Sequence, residues 1–304
     1  MRTTRTWLTA GAVTTAAAPA LAACGGGDDP DEGAGSDGGD GSGETITIGV
    51  FHGWEEGIAA SYIWKHILEE QGYAVETEHA DVGVVFTGLA AGDYDLNFNV
   101  ALPHNHEDYL EQYGDDIEDL GVWFEDYPNT MVVNDDAPIT SLTELADHAD
   151  EFDNRIVGIE PGAGLTRYVQ DSVIPTYGLE DMEFVVSSTP SMLADLQGAI
   201  ESGENVVATL WRPHWAYDAF PIRDLEDPEG ALGPPNDIHT FSSPGFAEEH
   251  PEVAEWSGRF AMDDEQVSSL ETIMFNELNG EENDEAVDRW VEENPDFVPE
   301  IVGE

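Results

Sequence analysis

Three short segments carry the groups with chemistry in them. Gly53-Trp54-Glu55 follows a first strand, and Gly158-Ile159-Glu160-Pro161-Gly162-Ala163-Gly164 joins a strand to a helix. Trp211-Arg212-Pro213-His214-Trp215 follows another strand. A tryptophan at a strand edge is more often simple packing. Two of them, Trp54 and Trp211, at strand ends in different halves of the chain favour a ligand role. Facing indoles attract a quaternary ammonium through cation–π contact, worth roughly 0.5–2 kcal/mol per ring. Gly162-Ala163-Gly164 reads either as a tight turn needing positive φ or as an anion nest. In the nest the amides of Gly164 and Leu165, at a helix N-terminus, face a carboxylate. The spacing is not that of a P-loop and no lysine follows, which argues against a nucleotide. Together these groups suit a small ligand with a cationic, methylated head and a carboxylate tail.

The other reactive residues are weaker signals. His104-Asn105-His106-Glu107 offers paired histidines beside a carboxylate, an unspecific metal set and more often a solvated loop. One of these rings alone can give a charge-assisted hydrogen bond to a ligand carboxylate. Ser187, Ser188 and His214 form no recognisable triad, since neither serine sits in a nucleophile elbow. A rival from a different class is a secreted metal-dependent hydrolase built on His104, His106 and Glu107. It needs a third firm ligand and a general base that no spacing in the chain supplies. Neither a cofactor nor a metal is expected. Trp64 reads as core, Trp123, Trp256 and Trp290 as packing or surface, and Trp215 stays open.

The elements around these segments alternate. Thr45–Phe51 reads as a strand and 55–71 as a helix with Ala60, Ile63, Trp64, Ile67 and Leu68 on one face. Strand 75–79, helix 86–91 and strand 95–100 follow, and 131–133 reads as a crossing strand. After Pro138 a second series runs through helix 142–148, strand 156–160, helix 165–177 and strand 184–187. A helix opened by Thr189-Pro190 and strand 206–210 complete it. Residues 223–238 read as loop, and the C-terminal part as helices near 251–258, 264–278 and 284–293. Two α/β units in series predict a two-lobed fold with a cleft, with ligands at the carboxyl ends of the strands. The expected lobes are 45–130 plus about 246–304, and about 131–245.

Composition sets the surroundings. There are 65 Asp plus Glu against 9 Lys plus Arg, a net charge of −56, and Lys65 is the only lysine. Hydrophobic content is still 40%, so the pattern is a solvated acidic shell on a globular core, similar to proteins of extreme halophiles. Such self-repulsion is screened in molar salt, where the Debye length is about 3 Å, and unfolding is expected in dilute buffer. With no basic patch to displace counterions, nucleic acid is excluded as a partner. Residues 1–23 read as a lipoprotein signal peptide, with Arg2 and Arg5 before a short apolar stretch. Leu21-Ala22-Ala23-Cys24 resembles a lipobox, making Cys24, the only cysteine, the expected lipid-modified residue. Residues 24–44 read as an acidic Gly/Asp-rich tether. The export route, Sec or a degraded twin-arginine signal around Arg5, is left open.

These segments, in order, resemble the substrate-binding lipoproteins of glycine betaine ABC importers. The resemblance covers residues 45 to about 290. It includes Gly158 to Gly164, Ser187-Ser188, Trp211-x-Pro-His-Trp215, Leu225-Glu-Asp-Pro228, Ile238-His-Thr240, Gly245-Phe246, Tyr62-x-Trp64-Lys65 and Asp81-Val-Gly83. It implies an α/β, two-lobed, periplasmic-binding-protein-like (type II) fold with a hinged interlobe cleft. It also implies no enzymatic activity, an ABC transporter permease as partner, and a lipid-anchored location on the extracellular face of the membrane. By position, Trp54 and Trp211 correspond to two walls of the family's three-tryptophan prism. Gly164 and Leu165 correspond to its carboxylate-binding amides, and His106 to its histidine. The third tryptophan is Ala101 here. Either Phe98, Trp215 or Tyr168 swings in, or the ligand is a bulkier or different solute such as carnitine, choline, a sulfonium analogue or ectoine.

Overall fold

The structure is a computed structural model that describes residues 45–303. The expected signal peptide, Cys24 and tether therefore lie outside the described residues. Two five-stranded sheets organise the chain. The first has the order β2-β1-β3-β10-β4, from β1 (Thr45–Phe51), β2 (Ala74–Ala80), β3 (Leu96–Leu102), β4 (Glu118–Tyr127) and β10 (Asn236–Ser242). The second has the order β7-β6-β8-β5-β9, from β5 (Asn129–Asn134), β6 (Arg155–Val157), β7 (Glu183–Val185), β8 (Val207–Trp211) and β9 (Ile222–Asp224). Each sheet has a parallel part joined by crossover helices and an antiparallel part near one edge.

The parallel parts follow the apolar pattern. β1 pairs with β2 in register from Thr45 opposite Ala74 to Phe51 opposite Ala80. Helix α1 (Glu55–Glu70) crosses between them and buries Ile58, Ile63, Trp64, Ile67 and Leu68, the i, i+4 stripe a sheet-covering helix needs. Helix α2 (Val82–Ala91) makes the next crossover and stops at Gly92 in the left-handed conformation. In the second lobe, Thr189–Ser202 opens with Ser188 as its N-cap and a proline in its first turn. A helical segment runs from Gly164 to Tyr177, widened to a π turn over Val169–Val173.

The antiparallel strands differ from expectation. β4 was not foreseen, because Glu118, Asp119, Glu125 and Asp126 interrupt any apolar alternation. As an edge strand it tolerates those charges. β10 falls in the stretch read as loop and in the range assigned to the second lobe, yet it sits between β3 and β4 in the first sheet. The second sheet is closed at its edge by β9, so the boundary of the second lobe comes before Asn236 and not near residue 245. The chain passes between the sheets twice, at Tyr127–Asn129 and between Asp224 and Asn236. No helix among the described residues is long and apolar enough to cross a membrane.

Candidate ligand-binding site

The six residues singled out from the sequence meet around one cavity. Trp54, Ala101, His106, Gly164, Leu165 and Trp211 all line one small cavity between the two sheets. Trp54 comes just after β1 as the first residue before α1, and Ala101 lies near the end of β3. His106 precedes helix α3 (Glu107–Tyr113), Gly164 and Leu165 start the helix after β6, and Trp211 ends β8. These are carboxyl ends of strands, where the sheets of such folds leave room for a ligand.

The two tryptophans cross the cleft in opposite directions. Trp54 of the first lobe donates its indole N–H to Glu160 Oε2 of the second at 3.3 Å. Trp211 of the second lobe donates its own to Glu56 Oε2 of the first at 2.9 Å. Glu160 is fixed in turn by the Thr189 amide at 2.7 Å and hydroxyl at 2.9 Å. Glu56, at the start of α1, also accepts Asn99 Nδ2 at 3.0 Å and the Tyr127 hydroxyl at 2.9 Å. Burial raises the Glu56 carboxyl above its ordinary range, against the hydrogen bonds that favour its charge. Each indole thus has a carboxylate behind its N–H, which adds negative potential to a ring already suited to a cation.

His106 is buried and its ring stacks on Trp54, 5.6 Å between centroids at 18°. Its Nδ1 accepts the Ala101 amide N–H at 2.9 Å, so the proton of the neutral ring resides on Nε2. Burial, with a smaller contribution from Arg167, lowers its pKa to about 3. Any hydrogen bond from His106 to an anionic group therefore comes from a neutral N–H, with the charge on the acceptor. His104 does not line the cavity. Its ring meets Tyr168 edge-on, and its carbonyl accepts Arg167 Nη2 at 2.8 Å.

Two glycines explain why the lobes come so close. A Cβ on Gly164 would lie 2.3 Å from the Asn105 carbonyl oxygen and 2.5 Å from its Cα, so only glycine permits this backbone contact across the cleft. Gly53 has φ +75 at the turn between β1 and Trp54. The amides of Gly164 and Leu165 begin a helix, and first-turn amides have no intrahelical acceptor.

Sequence reasoning missed Tyr127, Asn99, Asn105 and Asn129, which also line the cavity. Asn105 and Asn129 exchange two amide hydrogen bonds of 3.0 Å between the lobes. The alternation Asn97, Asn99 inside the apolar β3 was the available signal, since a buried amide in a central strand needs a partner. None of the aromatics considered for the Ala101 gap fills it. Phe98 stacks on Trp64, Trp215 on His214, and Tyr168 packs by Gly233. Tyr127 is the third large aromatic at the cavity.

Residues 44–293 match the model of the substrate-binding domain of ABC-type glycine betaine transport systems. The chain belongs to that family. A 154-residue segment is 31% identical to the glycine betaine/carnitine transport binding protein GbuC of Listeria monocytogenes, covering 50% of each chain. The chain thus spans about half the length of that curated relative. The glycine betaine, L-proline-binding protein ProX of Borrelia burgdorferi has 28% identity and a TM-score of 0.78, over 85% of this chain and 97% of that one. Lactococcal OpuAC in its closed form with glycine betaine has 25% identity and a TM-score of 0.77, over 85% and 99%.

Members of this glycine betaine-binding family are transport proteins and not enzymes. That displaces the hydrolase reading of His104, His106 and Glu107. Among the described residues no three His, Cys, Asp or Glu side chains are grouped to hold a metal ion. The His106 ring is committed to Ala101 and Trp54, while Glu107 faces solvent.

Proposed function

We propose that this protein captures a small zwitterionic quaternary-ammonium solute, with glycine betaine as the first candidate, and delivers it to an ABC transporter permease. The observation that carries the reading is the pair of indoles from opposite lobes at one cavity with a neutral histidine donor. Trp54, Trp211 and Tyr127 would surround the methylated head. The Gly164 and Leu165 amides and His106 Nε2 would hold the carboxylate. Removing the ligand's charges from water is offset only where both ends meet fixed partners, so a zwitterion gains from this division as a neutral solute does not. Closing the lobes would present one shape to the permease, and a lipid on Cys24 would keep the protein at the extracellular face of the membrane.

Ala101 favours a second reading, in which the site accepts a solute with a larger or differently substituted head, such as carnitine, choline or ectoine. Calorimetric titration of the domain from residue 45 onward in high-salt buffer tests both. Micromolar or tighter binding of glycine betaine is expected, about −8 kcal/mol. Carnitine binding more tightly would support the second reading. Folded protein that binds none of these solutes would overturn the function.

A further inference from the structure

The segment that brings Trp211 to the cavity is held from behind by three buried carboxylates. Glu56 Oε2 accepts the Trp211 indole N–H at 2.9 Å, and Glu55 Oε2 lies 3.3 Å from His214 Nε2. Glu271 Oε2 accepts the Trp215 amide N–H at 2.8 Å. Glu55 and Glu56 open α1, while Glu271 ends the helix Asp264–Glu271, which packs on α1. Their exposures are 6%, 1% and 0%.

Among the described residues no Lys or Arg side chain pairs with them, and every Lys and Arg ion pair is made with other carboxylates. The remaining titratable groups facing the cluster are Tyr127, which donates to Glu56, Asp218 from the helix Ala216–Ala219, and His214. His214 Nδ1 accepts the Ala216 amide N–H at 3.0 Å, which leaves the ring's single proton on Nε2, toward Glu55.

Several carboxylates sharing one dry site without a counterion cannot all ionise. The hydrogen bonds show which one gives way. Glu56 receives three donors, as an ionised carboxylate does. Glu271 receives one amide, and its Oε1 has no partner among the described residues. Glu55 Oε2 is also without a hydrogen bond, but it faces His214 Nε2 at 3.3 Å and the residue is 6% exposed, whereas Glu271 is fully buried. Burial, then the charges of Glu56 and Glu55, push Glu271 well above the ordinary carboxylate range.

We infer that closing the two lobes takes up a proton on Glu271, which makes this residue, outside the cavity, the positioning group for Trp211–Trp215. Opening would withdraw the Trp215 amide, admit water and let Glu271 ionise. The inference rests on the opening and closing in the proposed function, and not on which solute is bound. Since the closed form holds the proton more tightly, closure is favoured at low pH. It weakens as pH rises from about 4.3, the ordinary glutamate value, toward the raised value, by up to about tenfold in affinity per pH unit.

The test is titration of wild type and Glu271→Gln with glycine betaine, in buffers of different ionisation enthalpy, between about pH 5 and 8. Glutamine keeps the acceptor for the Trp215 amide and cannot take up the proton. Wild type should show buffer-dependent heats amounting to as much as one proton per solute, and Glu271→Gln none, with a pH-independent Kd. Buffer-independent heats in wild type, or equal uptake in the variant, overturn the inference. Absence of any binding would instead sink the proposed function. The linkage is then read by small-angle scattering of the solute-free protein, which must expand with rising pH in wild type only. A radius constant with pH in wild type overturns it, whether or not the variant folds.

Discussion

Trp211 and Glu56 sit on opposite lobes and share a buried hydrogen bond of 2.9 Å from the indole nitrogen to Oε2. The bond fixes the plane of the ring at the cavity and ties that plane to closure of the cleft. The ring is therefore oriented only when the lobes are together. The same holds in mirror sense for Trp54 and Glu160.

Trp211→Ala and Trp54→Ala should each weaken glycine betaine binding at least tenfold, about 1.4 kcal/mol, by calorimetry. Trp211→Phe keeps an aromatic face but leaves Glu56 one donor short, at a cost of about 1–3 kcal/mol. Its affinity should fall between wild type and alanine. Unchanged affinity in both alanine variants, with an intact circular dichroism spectrum, removes the two rings from the site.

Gly164→Ala should separate folding from closure. The added methyl would meet Asn105 backbone at 2.3–2.5 Å, an overlap that only separation of the lobes relieves. Expected are a thermal midpoint close to wild type and a loss of affinity of about a hundredfold, roughly 2.7 kcal/mol. Equal affinity would mean that the contact is not kept in the bound form.

Ala101→Trp tests what replaced the third indole. Ala101 is 2% exposed and Tyr127 already provides an aromatic surface at the cavity. An inserted indole overfills such a space at a cost of about 1–3 kcal/mol, so weaker glycine betaine binding is expected. Tighter binding would show that the gap at Ala101 is a loss and not an adaptation.

His106 gives a pH signature in stability. Its pKa is lowered to about 3 by burial, so the unfolded chain binds its proton first on acidification. Its contribution is complete above about pH 6.5 and is lost as pH falls toward 3, by up to about 1.4 kcal/mol per pH unit. The stability difference between wild type and His106→Asn, from urea unfolding at several pH values, should shrink across that window. A difference independent of pH would contradict a buried neutral ring.

The sequence made the strand–helix alternation readable where strands are parallel and apolar, as in β1, β3 and β8. It hid β4 and β10, whose polar residues are paid for by neighbours distant in the chain. Asn236 in β10 accepts the amides of His104 and Asn105, a relation no local pattern displays. Trp54, Gly164 and Trp211 were visible because each interrupts a strand end with an unusual residue. Tyr127 was not, for it lies in an acidic edge strand and gains its place only through Glu56. The carboxylates at the start of α1 looked like ordinary helix-dipole partners, and their burial becomes apparent only when the second lobe covers them.

The latch formed by Arg167 with the His104 carbonyl and Asp108 has a kinetic implication. Like the two indole bonds, it joins protein to protein, so part of the drive to close needs no cargo. A solute then supplies only the balance, and apparent affinity rises with the fraction already competent to bind. In the proposed function, the same economy would make loaded and empty molecules harder for a permease to tell apart. Loosening Arg167 would trade capture at low supply for fewer unproductive dockings, setting the protein's working point between scavenging and throughput.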